Sequence, residues 1–143
     1  MADFVFNVAK GAAAEKFRDA AANGIVLLMS ALEADTTASD YDDLDALLTP
    51  AGNTEVSDAS YSRKTGLTGS ITVDDSNDRV DVDLPDQTWT GLSGPDPTDL
   101  IVAYEESAAD TGRIPLTNHD FAVTSDGSDV TAQFAASGFY RAS

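Results

Sequence analysis

A chain of 143 residues, 42% of them hydrophobic, has the size and balance of one globular domain, long enough to bury about two thirds of its unfolded surface without a metal or disulfide. Its 25 acids against 8 bases give a net charge of −17, which excludes the clustered Lys and Arg that nucleic-acid binding needs to release counterions. The absence of cysteine excludes disulfides, thiolate zinc sites and cysteine nucleophiles.

In chain order, the opening "FVFN" is an apolar strand carrying Phe4, Val5 and Phe6. "AKGAAAEKFRDAAANG" predicts an Ala-rich helix with Ala13, Phe17, Ala20 and Ala21 on one face and Asn23-Gly24 as its C-cap. "GIVLLMSALEA" combines an apolar run with an Ala-x-x-Ala spacing that imitates a secretory leader. The bases before it (Lys10, Lys16, Arg18) are matched by acids (Asp3, Glu15, Asp19), so no positive leader region precedes it. The run falls short of the roughly 20 apolar residues that span a bilayer, so no membrane partner is expected. It reads as a buried strand with a helical tail.

"TASDYDDLDALLTPAGN" predicts a second helix, capped by Ser39 or Asp40. Asp42, Asp43 and Asp45 suit the helix dipole in its first turn, Leu44, Leu47 and Leu48 form the inner stripe, and Pro50 and Gly52 stop it. From residue 53 the texture becomes β: strands are expected at 60–63, 69–73, 79–84, 88–90, 100–105, 113–116, 121–124 and 130–134, with a closing segment near Phe139. Turns fall at "DDSND", "SGPDPTD", "ADTG" and "SDGSD", the last carrying an Asp-Gly pair that favours a tight hairpin. The chain therefore reads as one domain, 1–143, with a helix-containing part (1–52) and a β-rich part (53–143). The fold class is α+β: a mainly antiparallel sheet or sandwich with one or two N-terminal helices packed on it.

Candidate chemistry is thin. "DDSNDR" offers Asp74, Ser76 and Asp78 at calcium-loop alternation, but Arg79 stands where the loop needs glycine and no terminal Glu follows, so an Asx-stabilised turn is the reading. His119-Asp120 is the sole His beside an acid, and without a nucleophile elbow or a metal-binding His motif it reads as a loop-capping residue. Among 25 acids some pair always lies at a workable glycosidase separation, so pairing discriminates nothing. No enzyme activity, cofactor or metal is expected. In "NDRVDVDLPDQTW", Val80, Val82 and Leu84 alternate with Asp81 and Asp83, which predicts a half-buried strand whose acids face water. Pro85 ends it ahead of Asp86 or forces it to an edge. Trp89, Phe121 and Phe134 are assigned to the core. Phe139, Tyr140 and Arg141 in "SGFYRAS", with Phe4, Val5 and Phe6, are the candidate interface residues, since aromatics and Arg anchor interfaces.

The segments "DFVFNVAKG", "YSRK", "NDRVDVDLPDQTWT", "IPLTNHDFAVTSDGSDVTAQF" and "GFYRAS" resemble a family of small virion structural proteins of tailed bacteriophages, especially those of actinobacteria, called minor capsid or decoration proteins. The resemblance spans nearly the whole chain and is strongest over 77–89 and 114–143. It implies a non-enzymatic protein on the outer surface of the head, with the major capsid protein as partner and a homo-oligomer, a trimer at local threefold axes, as its assembly. The Asp-rich composition leaves an actinobacterial or a halophilic host open. A tail or fibre component, including a receptor- or carbohydrate-binding module, is the competing reading of the short-strand texture and Trp89.

Overall fold

A computed structural model describes residues 2–9, 13–19 and 21–142. The expectations for Lys10, Ala20 and the side chain of Ala13 lie outside the described residues. In chain order the elements are β1 (Phe4–Val5), α1 (Ala13–Asp19), β2 (Gly24–Ala31), α2 (Asp35–Ala38), α3 (Leu44–Leu48), β3 (Thr54–Glu55), β4 (Lys64–Leu67), β5 (Ser70–Asp74), β6 (Arg79–Asp83), β7 (Gln87–Trp89), β8 (Asp99–Glu105), β9 (Arg113–Asp120), β10 (Val130–Ala132) and β11 (Tyr140–Ala142). Short 3-10 turns occupy Asn7–Ala9, Ala21–Asn23 and Asp110–Gly112.

The strands form an α+β fold of antiparallel sheets. A six-stranded sheet runs β1-β9-β8-β2-β3 with β4 also paired to β2, a second sheet is β11-β6-β5, and β7 pairs with β10. β2 is the spine of the first sheet: Ile25 to Met29 are all fully buried, and it bonds β8, β3 and β4. A continuous apolar run is what a strand covered on both faces requires, and each such side chain contributes roughly 1.5–3 kcal/mol by leaving water. Phe17 of α1 ties the layers together. Its ring meets Tyr104 of β8 edge-on at 5.3 Å and Phe139, next to β11, at 5.8 Å.

The helices are shorter and differently bounded than the sequence suggests. α1 ends at Asp19, and Asn23 does not cap it: its side-chain amide donates to the Glu105 carbonyl, while Gly24 opens β2. The expected helical tail of that strand is absent over 32–34, and α2 starts only at Asp35. In the following segment the cap is Asp43, not Ser39 or Asp40; its carboxylate accepts the Ala46 amide at 2.8 Å, so the helix starts at Leu44. Leu44 and Leu47 are fully buried as expected, and Leu48 is half-buried.

Among the strands, the one expected at 60–63 is absent: a turn at 59–60 leads into irregular chain over 61–63, because the Asp58 carboxylate takes both the amide and the hydroxyl of Ser60 and the Tyr61 amide bonds the Asp58 carbonyl. β9 runs four residues past Leu116. Pro115, without an N–H, is accommodated where the β8–β9 register shifts between Val102 and Ala103. The chain at 121–124 follows the 97–98 segment, with Phe121 bonding Thr98 and Val123 bonding Pro97, and Pro97 returns no amide to complete a ladder. The Asp-Gly turn is no β9–β10 hairpin: Gly127 and Ser128 exchange backbone bonds with Leu92, carrying the chain across to β7.

Candidate docking surface

The two ends of the chain meet on one side of the six-stranded sheet. β1 is its edge strand, with Phe4 opposite Asn118 and Val5 opposite Thr117 of β9. The C-terminal segment brings Phe139 to the same place, so that Asp3, Phe4, Val5, Thr117, His119 and Phe139 line one small depression. Beside it lies a groove of about 380 Å³ walled by Phe121 and Phe134, with buried Leu100 and Phe139 at its base and Asp3, His119 and Asp120 along its rim. The Phe134 and Phe139 rings meet edge-on at 6.3 Å.

Of the six residues that the sequence singles out as interface anchors, Phe6 is fully buried and Phe139 is 7% exposed, so both are spent on the chain's own core. Phe4, Val5 and Tyr140 are half-buried. Arg141 is exposed, and its Nε donates to Asp81 at 2.8 Å. Phe121 and Phe134 are half-buried groove walls rather than core. Trp89 is in the core, 1% exposed, with its indole N–H donated to the Ser62 carbonyl at 2.9 Å.

His119 holds the rim in place. Its Nδ1 lies 3.4 Å from an Asp3 oxygen whose partner oxygen accepts the Asp120 amide at 2.7 Å, and its Nε2 is 2.9 Å from the Thr117 hydroxyl. An Nδ1–H directed at Asp3 leaves Nε2 to accept from Thr117, and this stitches residue 3 to β9. Thr117 is 2% exposed, so the inner end of this Thr-His-Asp string is buried, while His119 is half-buried and Asp3 is exposed. Burial lowers the His119 pKa below its ordinary 6.5, with Asp3 opposing. The unfolded chain therefore binds the proton that the fold refuses: the neutral imidazole stabilises the fold above about pH 6.5, and that stability is lost as pH falls through the lower folded value. The melting temperature of the wild type is expected to fall more between about pH 7 and 5 than that of His119→Asn. Parallel pH profiles for the two proteins would contradict this.

The Asp-rich strand differs from its expected role. Asp81 is 7% exposed, held between the Arg141 guanidinium and that of Arg79, whose Nε lies 3.2 Å away. The reason is cross-strand register: Arg141 stands directly opposite Asp81, and Arg79 precedes it by two on the same face. The other carboxylates of this region also accept hydrogen bonds within the fold. Asp83 takes the Leu84 amide, Asp86 takes the Phe134 amide, and Asp74 takes the Asn77 side chain at 2.7 Å, the main cause of its lowered pKa. Among the described residues no group of three or more His, Asp or Glu is placed to hold a metal, and no helix is long and apolar enough to cross a membrane.

Asp3, Thr117, Phe121 and Phe134 complete the surface and were not singled out for it by sequence reasoning. The i, i+2 spacing of Thr117, His119 and Phe121 would have revealed one strand face had β9 been extended past Leu116. No family model, curated protein or solved structure matches the chain.

Proposed function

We propose that this protein is a structural component of a tailed-virus particle, a decoration or minor capsid protein that binds the outside of the major capsid protein shell and stabilises it. The reading rests on the family resemblance of its sequence, and the observation that supports it is the convergence of both chain ends into one aromatic-walled surface. An edge strand and a groove of half-buried phenylalanines offer backbone pairing and apolar anchoring together. A standard interface buries about 800 Å² per partner, a small share of the chain's 6712 Å². Many copies on one shell add avidity to each contact. The net charge of −17 keeps the remaining surface hydrated and like-charged particles apart. A trimer is the assembly that the resemblance implies.

The tail or fibre reading, with carbohydrate stacking on an exposed aromatic, draws no support from Trp89, whose ring is buried and whose N–H is taken by Ser62. The test is to find the protein in the particle. Density for this fold on the outer face of the head is the expected result, and confinement to the tail is the contrary one.

A further inference from the structure

The sheet β11-β6-β5 extends its apolar face beyond the core. Two cross-strand rows share that face. The inner row, Ile71, Val82 and Tyr140, packs on the hydrophobic core, and Val82 is fully buried. The outer row, Val73, Val80 and Ala142, overhangs it. Val73 is 60% exposed, the one large hydrophobic side chain left open among the described residues. With Val80, Ala142, Asp75, Asp78 and Arg79 it lines a shallow hollow. β5 is also a sheet edge, pairing only with β6 among the described residues, so it presents unpaired backbone groups next to that hollow.

We propose that β5 accepts an extended segment of a partner protein, in which apolar side chains alternate with basic ones, as an added strand. Backbone pairing along Ser70–Asp74 would supply the register, and the apolar side chains would cover Val73 and continue its row. Charge selects the basic partner. The Arg79 guanidinium is already paired with Asp74 and Asp81, whereas Asp75 and Asp78 at the hairpin tip make no ion pair among the described residues. The opposite edge, β11, is shorter, three residues against the five of β5. This surface lies outside the groove formed by the chain ends, and its chemistry is independent of the virion reading.

The test titrates the full chain, labelled for NMR, with three synthetic peptides of equal length: alternating Val/Lys, alternating Val/Glu and alternating Ser/Lys. The Val/Lys peptide is expected to shift and protect amides of residues 70–74, with shifts at Val80 and Ala142. Binding should weaken about ten-fold in both Val73→Thr, which keeps strand propensity, and Val73→Asp. Asp75→Asn with Asp78→Asn should weaken it and flatten its salt dependence. Equal binding of the Val/Glu or Ser/Lys peptide at this edge, shifts that map elsewhere, or unchanged affinity in Val73→Asp would overturn the proposal. So would concentration-dependent self-association of the free chain that Val73→Asp abolishes, since the occupant would then be a second copy. Neither result bears on where the protein sits in a particle.

Discussion

Replacing Gly138 by alanine is expected to destabilise the protein by about 3 kcal/mol or more. Two costs add at that position. The backbone sits at φ 77°, where an L side chain is strained by roughly 1–2 kcal/mol. A Cβ built there would also lie 2.1 Å from the Val82 carbonyl oxygen and 2.6 Å from its carbon, so β6 and the C-terminal segment would have to separate. That movement breaks the bond from the Phe139 amide to the Val82 carbonyl and pulls the Phe139 ring away from Phe17. Gly127 is the matched control: it has φ 87° with nothing within 4 Å of its built Cβ, so Gly127→Ala should show the backbone cost alone. Thermal melts of both variants give the comparison, at about 3 °C per kcal/mol for a chain of this size. Equal melting temperatures would mean that the close approach to β6 contributes nothing.

Arg63→Met is expected to cost about 2–3 kcal/mol at neutral pH. The Arg63 guanidinium binds two carboxylates bidentately, Glu55 through Nε and Nη2 and Asp110 through both terminal nitrogens, at 2.6–3.0 Å. Arg113 continues the chain of charges from Asp110 to Glu105. Glu55 in turn accepts the Tyr61 hydroxyl, which takes the amide of buried Leu28, so the cluster reaches the spine of the main sheet. Methionine keeps the aliphatic packing but removes the cation between the two carboxylates, leaving Glu55 with the Tyr61 hydroxyl and Asp110 with Arg113. About a fifth of the Arg63 and Glu55 side chains remains in water, and more of Asp110, which places the cost below that of a sealed pair. The pH dependence carries the signature. Arg63 is the main cause of the lowered Asp110 pKa, so the wild-type advantage is present above the ordinary carboxylate value of 3.8 and is lost as pH falls through the lower folded value. Urea melts should show the gap between wild type and Arg63→Met narrowing as the pH drops through that window. A gap constant with pH would assign the loss to packing.

How far such features could be read from sequence depended on whether the signal was local. The run from Ile25 to Met29 announces a strand covered on both faces, and Val80, Val82 and Leu84 announce a face, because periodicity lies within the segment itself. Thr117, Asn118 and His119 read as loop after a strand that ends at Leu116, yet Asn118 is fully buried and donates its side-chain amide to buried Asp99 across the ladder. A polar residue at the centre of a sheet is legible only once its partner strand is known. Asp81 taught the same lesson in reverse, since the arginine that covers it arrives from sixty residues away. Large apolar and aromatic residues near the chain ends suit an interface and a core equally: Phe6 and Phe139 are in the core, while Phe4, Val5 and Tyr140 keep part of their surface. The groove walls Phe121 and Phe134 depend on how the loop after β9 and the tail after β10 come together, which no local pattern encodes.

The proposed decoration role concerns location and attachment, and a three-dimensional reconstruction of a virus particle measures both. It predicts copies of this β-rich fold on the outside of the head, repeated at fixed symmetry positions, with the surface around Phe4, Val5, Phe121 and Phe134 turned toward the shell or a sister copy. Density for this fold only in the tail, or a head whose outer surface lacks it while the protein is present in the particle, would contradict the account.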